Sequence, residues 1–476
     1  MKYWETASQE DLQRIHEGAC QVLEEIGMRI RHKETVDILV SAGAKRIDDE
    51  TVKIPRHLVE RSIESAPESF RFYDRRGGFL EIGGEHHHHI PGATMTEVLD
   101  YPSLKLRPAT LQDNRDLPRI IDALEFVDIA VQPVEATDAP AGMSEVLACA
   151  ELLKNTSKYC WACPVKFEAN QAFVDMAKAI AGSQDLSQRP IIGLLATMVP
   201  VYEIDAEACK VMLLAAREGL PVCLMGNAIG GMQGPATNAG CVVMEVAEEL
   251  AGLSVVQTVR PGLPCLLTWG DFKIDMRTAE IEVADVEYSI ALSVGAQLSR
   301  LYGIPSYSCP ATDSKLADFQ AGFEMAETLL MAMLSGINVT VNAGAVSKSS
   351  AESYEALLLH NEMLRRFTRI RRGMTVNSET LALDVQKEIG IRGDYLVHPH
   401  TLKHMRDAEE FLQKDLFDAT GIHSSYPDPC ARAKERWQRI LREHQVAVPD
   451  SAKQAVDEVV ERFARSLGQS RETASA

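Results

Sequence analysis

Short apolar runs, rich in β-branched residues, recur along the middle of this chain with helical patterns between them. Each run opens at a proline or a polar residue and closes at Gly, Pro, Asp or Asn. Successive runs begin 33, 31, 31, 43, 41 and 32 residues apart. Continuous apolar strands that alternate with helices predict a parallel sheet covered on both faces. The seven runs are residues 126–134, 159–167, 190–200, 221–231, 264–272, 305–312 and 337–345.

Seven units at near-regular spacing favour an α/β fold of the (β/α)8 TIM-barrel type over an open doubly wound sheet. The eighth strand is either MTVNSETLAL, after Gly373, or a strand before residue 126. In a barrel of this type, the chemistry is expected at the C-terminal ends of the strands and in the loops that follow them.

One predicted helix, LADFQAGFEMAETLLMAML, has apolar residues at the 3-4-3-4 spacing of a single helix face. This spacing predicts that the face is buried against the barrel. Its members are Leu316, Phe319, Phe323, Ala326, Leu330 and Met333.

The regions on either side of the repeat differ from it in pattern. Residues 1–118 hold two amphipathic helices and then short strands, which predict an α+β appendage before a barrel at 119–379. Residues 380–465 are helical and charged and predict a C-terminal helical extension. The small polar residues 466–476 predict a disordered tail.

Composition excludes several classes of function. The 476 residues include 49 Lys and Arg against 68 Asp and Glu, a net charge of −19, which argues against nucleic-acid or anionic-membrane partners. No apolar run reaches the roughly 18 residues of a membrane-spanning helix. The N-terminal MKYWETASQEDLQ lacks a signal-peptide pattern, and ten cysteines are ordinary usage, so we expect a cytoplasmic protein. Large barrel enzymes commonly self-associate, so we also expect a homo-oligomer.

The cysteines and histidines raise metal and redox hypotheses. The CxxC spacing of Cys160 and Cys163 falls in a predicted strand, whose residues i and i+3 point to opposite faces, and no second CxxC accompanies it. The run His86–His89 is internal and predicts a loop or hairpin. We expect no metal bound by this chain.

The predicted strand ends carry aromatic, carboxylate and amide side chains but few cations. Such a rim suits an organic cation, because quaternary ammonium groups are held over ring faces. Trp269 leads the candidate rings, because it ends an apolar strand and is followed by Gly-Asp. Asp313 is placed either as a substrate contact or as a helix N-cap. The other candidate rings are Tyr307, Tyr202 and Phe167.

Six longer segments of the sequence resemble those of a known family. They are LRPATLQDNRDLPRIIDALEFVD, NTSKYCWACPV, GDFKIDMRTAEIEVADVE, QLSRLYGIPSYSCPATDSKLADFQAGFE, SSAESYEALLLHNEM and GDYLVHPHTLKHMR. Together they resemble the trimethylamine/glycine betaine:corrinoid methyltransferase superfamily over nearly the whole chain. The resemblance implies a (β/α)8 barrel that presents its substrate to a separate corrinoid-binding protein, whose Co(I) attacks an N-methyl group.

The sequence departs from the founding trimethylamine enzymes of that superfamily in one respect. Those enzymes carry pyrrolysine at the barrel mouth, whereas every residue here is one of the standard twenty. Pyrrolysine is proposed to give the tertiary amine a positive nitrogen, which a quaternary amine already has. We therefore predict demethylation of a quaternary amine, with glycine betaine first and carnitine, proline betaine and choline open. A betaine carboxylate needs donors, for which the candidates are Asn227, Asn342, Lys315 and His400.

Two rival functions stay open at this stage. One is a metal-dependent barrel hydrolase or lyase that uses His398, His400 and His404, since zinc favours imidazole ligands. The other is a noncatalytic protein that binds quaternary amines, because a fold does not dictate a function.

Overall fold

The computed structural model describes residues 3–182, 184–226, 228–406, 412, 415–417 and 428–468. Its N-terminal region combines helices with short strands. A capping box between Ser8 and Asp11 begins the first helix. The elements are α1 (Gln9–Glu25), β1 (Met28–Ile30), α2 (Lys33–Ser41), β2 (Lys45–Arg46), β3 (Thr51–Lys53), α3 (Arg56–Ser65), β4 (Ser69–Tyr73) and β5 (Phe79–Gly83).

Eight parallel strands form the central barrel. They are β6 (His88–Pro91), β9 (Ile129–Val131), β10 (Tyr159–Ala162), β11 (Ile192–Thr197), β13 (Val222–Met225), β15 (Cys265–Trp269), β18 (Ser306–Ser308) and β19 (Val339–Ala343). The two outer strands of this sheet, β6 and β9, meet through a hydrogen bond of 2.9 Å from Asp128 N to His89 O and a parallel bridge between Met95 and Val134. The predicted (β/α)8 barrel is therefore confirmed.

The first barrel strand lies in the histidine run, so the alternative of a strand before residue 126 is correct. The loop or hairpin predicted for these histidines is wrong, and the barrel begins before residue 119. The strand tolerates buried imidazoles because each has a partner: His89 Nδ1 and Thr340 Oγ1 share a 2.7 Å hydrogen bond, and His88 Nε2 lies 3.0 Å from Glu81 O. The rival segment after Gly373 contains a short helix, Ser378–Leu381, instead of a barrel strand.

Eight helices follow the barrel strands and surround them. They are α4 (Leu111–Ala123), α5 (Ser144–Asn155), α6 (Phe167–Ala181), α7 (Ala206–Glu218), α8 (Asn238–Val259), α9 (Val286–Tyr302), α10 (Phe319–Ser335) and α11 (Tyr354–Arg372). Short strands occupy several loops between barrel strands and helices. They are β7 (Glu97–Asp100), β8 (Lys105–Pro108), β12 (Glu203–Ile204), β14 (Ile229–Gly230), β16 (Phe272–Asp275), β17 (Glu280–Glu282), β20 (Ala345–Val346) and β21 (Ala351–Glu352).

The C-terminal region is helical in its described parts. Its helices are α12 (Ser378–Leu381), α13 (Leu383–Ile389), α14 (Pro399–His404), α15 (Pro429–Glu443) and α16 (Asp450–Ser466). Helix α15 packs on α11, and α16 packs on α5 and α6. Most of the predicted tail, residues 469–476, lies outside the described residues.

Helix α10 is rotated relative to the prediction. It begins at Phe319, with Asp318 accepting from Ala321 N at 3.0 Å as the N-cap, so Asp313 does not cap it. Phe319 and Phe323 are 89% and 62% exposed. Residues of the opposite face are buried, among them Ala321, Met325, Leu329 and Ala332. The prediction failed because the helix is apolar on both faces, and spacing alone does not select one.

Apolar side chains fill the barrel from its N-terminal end. The β4–β5 hairpin places Phe72 in this inner cluster, 5.6 Å from the ring of Trp161 in an edge-to-face contact. Trp161 crosses the lumen over Gly193, where a Cβ would lie 2.6 Å from the indole. The lumen therefore has a closed N-terminal end. Among the residues described, no helix is both long and apolar enough to cross a bilayer.

Candidate functional site

The barrel opens into a cup at its C-terminal face. Leu195 points into the lumen, since its neighbours Leu194 and Ala196 pack in the outer layer against the helices. An inward side chain in a filled barrel is fully buried, yet Leu195 is half-buried and the next inward residue, Thr197, is exposed. The lumen is therefore not filled at this level. Half-buried side chains of five strand ends or following loops form the wall of the cup, namely Ala93, Cys163, Leu195, Met225 and Phe272.

The most prominent ring of the cup wall is Phe272, which follows β15. It stacks on Tyr288 of α9, with ring centroids 5.8 Å apart and planes 8° from parallel. The hydroxyls of Tyr288 and Ser308 share a 2.7 Å hydrogen bond that fixes the supporting ring. Gly270, at φ +128°, makes room for it, since a Cβ there would lie 2.3 Å from the Tyr288 ring. Phe272 is thus a partly exposed ring held in place from behind.

The floor of the cup contains Tyr307 and two cysteines. Tyr307 is 3% exposed and belongs to the inner cluster with Cys223 and Cys309. Burial raises the pKa of the Tyr307 hydroxyl well above its usual value, so the phenol is neutral. Tyr307 therefore gives the floor a neutral aromatic ring, and its contact with substrate stays a prediction.

The Trp269 prediction is wrong. The indole points away from the lumen, into the layer between β15 and α9, and Nε1 donates to Ser299 Oγ at 2.6 Å. Gly295 lies beneath the ring, where a Cβ would come within 2.4 Å. The cause is strand parity: Leu266 faces the lumen, so Trp269, three residues on, faces the other way.

The other two predicted rings also lie outside the lumen cluster. Phe167 begins α6 and packs on the outer layer, with Lys210 Nζ 5.7 Å from its ring centroid. Tyr202 is half-buried in the loop after β11 and packs against the cluster that contains Cys241. Phe272, which the sequence analysis did not name, packs against the lumen cluster instead of these rings. The sequence signal for it was available, because Phe272 closes the same predicted run that contains Trp269.

The predicted polar residues are spread over several parts of the fold. Asn342 is buried near the end of β19, in a left-handed conformation (φ 77°), where the β19–β6 register shifts. Asp313 accepts from Val283 N and Ala284 N, each at 3.2 Å, and Lys315 is exposed in the loop after β18. Asn227 lies outside the described residues.

His400 lies in the C-terminal extension. Its ring contacts His404 with centroids 4.3 Å apart, and its backbone N–H donates to His398 Nδ1 at 3.1 Å. His398 is therefore the N-cap of α14. Within the part of the chain that the structure describes, no group of three or more His, Cys, Asp or Glu is arranged to hold a metal ion. The three-histidine metal site of the rival hypothesis is not assembled in these residues.

Four carboxyl groups gather at the C-terminal ends of β13 and β15. Glu248 Oε1 accepts from Tyr202 N at 2.8 Å, and Glu249 Oε1 accepts from Thr268 N at 2.7 Å. The carboxyl cluster consists of Glu245, Glu248, Glu249 and Asp271. Sequence analysis missed the three glutamates, although acidic residues within the apolar pattern CVVMEVAEELAGL were a signal of buried polar groups.

Burial and mutual repulsion decide the charge of the cluster. Burial raises the pKa of Glu248 to about 7 and that of Asp271 to about 7. Burial, reinforced by the neighbouring carboxyls, raises the pKa of Glu245 and Glu249 well above the usual value. The shift favours the protonated form of Glu245 and Glu249, so burial works against four negative charges beside the cup.

A buried glutamate also stands where the first and last barrel strands end. Glu352 lies against Gly92 and Gly344, where added Cβ atoms would come within 2.3 Å and 2.0 Å of its carboxyl oxygens. Burial raises the pKa of Glu352 well above its usual value. The two glycines let a neutral carboxylic acid pack tightly against the backbone at this end of the barrel.

Comparison with known proteins places this geometry in a family. A family model described as trimethylamine methyltransferase (MTTB) matches residues 1–468. A glycine betaine methyltransferase of Desulfitobacterium hafniense (strain Y51) is 27% identical over 469 residues, covering 97% of this chain and 96% of that protein. A trimethylamine methyltransferase MttB of Desulfitobacterium hafniense (strain DSM 10664 / DCB-2) is 29% identical over 450 residues, covering 89% and 90%.

The fold has a counterpart among solved structures. The monomethylamine methyltransferase (MtmB) of Methanosarcina barkeri superposes with a TM-score of 0.54 at 11% identity, covering 92% of this chain and 89% of that chain. The barrel and the family model together define a methyltransferase of the methylamine type. This chain belongs to the trimethylamine methyltransferase family, which confirms the resemblance seen in its sequence segments.

Proposed function

We propose that this enzyme transfers a methyl group from a quaternary amine, with glycine betaine first, to the Co(I) corrinoid of a partner protein. The observation that carries the proposal is the cup at the C-terminal face, whose apolar wall includes Phe272 and whose floor includes Tyr307. The similarity to a glycine betaine methyltransferase supports the choice of first substrate.

The cup suits a substrate that arrives with its positive charge already on nitrogen. A quaternary ammonium has no N–H to donate, so ring faces hold it, each with up to about 2 kcal/mol when water is excluded. It leaves as a neutral tertiary amine and needs no proton donor. All residues are standard amino acids, so the chain contains no pyrrolysine. A quaternary amine does not need one, because its nitrogen is already positive.

The side chains of this chain then act by positioning. The cup walls hold the N–CH3 bond toward the opening and exclude water, which converts two diffusing reactants into a near-attack pair. The partner's reduced corrinoid supplies the nucleophile. Positive charge leaves the nitrogen in the transition state, so strong anions beside it would stabilise the substrate more than the transition state. The protonated forms of Glu245 and Glu249, which burial favours, avoid that penalty.

A betaine carboxylate needs a donor at the rim. We propose Asn342 for this role, because it is a buried amide near the C-terminal end of β19. Asn227, Asp313 and Lys315 follow strands β13 and β18 in sequence and remain proposed substrate contacts. His400 lies in α14 of the C-terminal extension, outside the cup, and is not part of this proposal.

The C-terminal face also suits a protein partner. Exposed apolar side chains stand on the loops that follow the barrel strands, which is typical of surfaces that bind other proteins. They include Val165, Val201, Met232 and Met276. We propose that the corrinoid-binding protein docks over them. A cytoplasmic setting is part of the proposal, and the ten free cysteines favour a reducing compartment.

The experiment is direct. The protein is incubated with reduced cobalamin and, in turn, glycine betaine, carnitine, proline betaine and choline, and methylcobalamin is followed by its absorption spectrum. Formation with at least one of these amines, dependent on the protein, supports the proposal. Tight binding by calorimetry without methyl transfer to cobalamin or to a corrinoid protein contradicts it and favours the noncatalytic binding protein.

A further inference from the structure

None of residues 373–406, which we call the projecting segment, is buried against the part of the chain that the structure describes. The segment contains the three short helices α12, α13 and α14, and the structure gives no buried residue in any of them. It folds back on itself, with Lys403 and His404 both paired to Glu379. It therefore has local order without a core beneath it.

Helices of this length do not persist alone in water. The three contain 4, 7 and 6 residues. Isolated helices shorter than about 12–15 residues are marginal even for the best helix formers, because nucleation is costly. Most of their stability must come from packing an apolar surface against something else.

The projecting segment exposes many apolar side chains to solvent. Ten large apolar side chains of the projecting segment are exposed, with Ile391 at 98%, Met374 at 83% and Val397 at 80%. Together they expose on the order of 1,000 Å², more than the roughly 800 Å² that each partner contributes to a standard interface. Exposed apolar side chains concentrated in one short segment are typical of a surface that binds another protein. The other members are Val376, Leu381, Leu383, Tyr395, Leu396, Leu402 and Met405.

The position of the projecting segment argues against the methyl-accepting protein as the partner that binds it. Helix α11 follows barrel strand β19 and so runs back to the N-terminal face, where Arg371 donates to Glu85 O at 2.6 Å, just before β6. The projecting segment leaves the barrel there, at the end opposite the cup. A partner that takes a methyl group must reach the cup.

Charge favours a second copy of this chain. Residues 373–406 contain four Lys and Arg and four Asp and Glu, so the segment is neutral, and the remaining 45 basic and 64 acidic residues carry the whole net charge of −19. Two acidic copies approach with least repulsion through a neutral, apolar element. We propose that the projecting segment packs on a second copy of this chain, in a two-fold interface that uses it from both subunits.

The test measures the oligomeric state of the full chain by sedimentation equilibrium at micromolar concentration. The wild type is expected to be a dimer or a larger symmetric assembly. A double variant, Ile391→Asp with Val397→Asp, is expected to shift it to monomer, with the circular dichroism spectrum retained because both side chains are exposed. Phe323→Asp is the matched control on α10, which also exposes an aromatic side chain, and it is expected to leave the assembly intact.

Three outcomes overturn the proposal: a monomeric wild type, an assembly that survives the double variant, or one that dissociates with Phe323→Asp instead. If the double variant does not fold, hydrogen exchange of the wild type decides. Protection of residues 373–406 that rises with protein concentration supports the proposal. Protection that does not change with protein concentration means that no second copy covers the segment, and it contradicts the proposal. None of these readouts depends on methyl transfer.

Discussion

The rings of Phe272 and Tyr288 stack almost in parallel, 5.8 Å apart, across the gap that Gly270 leaves open. The two rings come from different elements, since Phe272 begins β16 and Tyr288 lies in the first turn of α9. Their contact sets the orientation of the exposed ring at the barrel mouth. The proposed ammonium pocket therefore depends on a residue that does not itself line the cup.

Replacing the exposed ring tests its role directly. Phe272→Leu keeps an apolar wall but removes the ring face, so kcat/KM for the quaternary amine should fall about 5- to 30-fold, which corresponds to about 1–2 kcal/mol. Steady-state methyl transfer to cobalamin measures the change. Trp269→Phe is the control, since it removes the bond to Ser299 but leaves the cup unchanged. A Phe272→Leu enzyme with wild-type kcat/KM would remove that ring from the proposed pocket.

The supporting glycine gives a second test. Gly270→Ala places a Cβ 2.3 Å from the Tyr288 ring at a φ of +128°, so both a clash and backbone strain are expected. The variant should lose about 1–3 kcal/mol of unfolding free energy and most of its methyl transfer. Urea denaturation and the cobalamin assay measure the two effects. Unchanged stability would mean that Tyr288 does not sit over this glycine.

The wall of the cup contains one accessible thiol. Cys163 is half-buried, whereas the other nine cysteines are buried. A thiol reagent that carries a trimethylammonium group should label Cys163 in the native protein, and glycine betaine should protect it. Burial raises the Cys163 pKa to about 12, so labelling should be slow at neutral pH and faster as the pH rises.

Mass spectrometry of the labelled protein identifies the site. The variant Cys163→Ser should show no native labelling. Labelling that glycine betaine does not slow would place the thiol outside the substrate pocket.

The carboxyl cluster predicts a pH dependence of stability. Burial raises the pKa of Glu248 to about 7 in the folded protein, so the folded state binds more protons than the unfolded state between the two pKa values. The stabilising effect is full below the unfolded pKa and is lost as the pH rises through about 7. On the order of 3 kcal/mol of unfolding free energy depends on this group.

Denaturant unfolding at about pH 5 and about pH 8 measures this difference. Glu248→Gln keeps the acceptor for Tyr202 N and should reduce the pH dependence. Glu218→Gln, at the C-terminal end of α7 where Glu218 pairs with Lys178, should not. A wild type that gains stability over this interval would contradict the raised pKa.

Regular spacing was enough to predict the barrel, because each unit repeats the same period of strand and helix. The first strand escaped detection because His88 and His89 do not resemble a barrel strand, although both are buried and hydrogen-bonded in one. The outward face of α10 was mispredicted for the opposite reason, since Phe319 and Phe323 are apolar but largely exposed.

The site was harder to predict than the fold. Trp269 was favoured because of its residue type. Successive side chains of a strand point alternately into and out of the lumen, so a shift of one residue changes which side chains line the cup. The carboxyl cluster unites residues of α8 with the end of β15, and such contacts between distant segments follow from packing. Tyr307 was named only for its ring at a predicted strand end, and its place among the inward side chains follows from the fold.

The central claim is that the methyl donor must already be cationic, and one comparison tests it most directly. Glycine betaine and dimethylglycine differ by a single N-methyl group and its charge, so each is incubated with the enzyme and reduced cobalamin at the same concentration. We predict methylcobalamin and one equivalent of dimethylglycine from glycine betaine, and none from dimethylglycine as donor. Equal or faster methyl transfer from the tertiary amine would contradict the account.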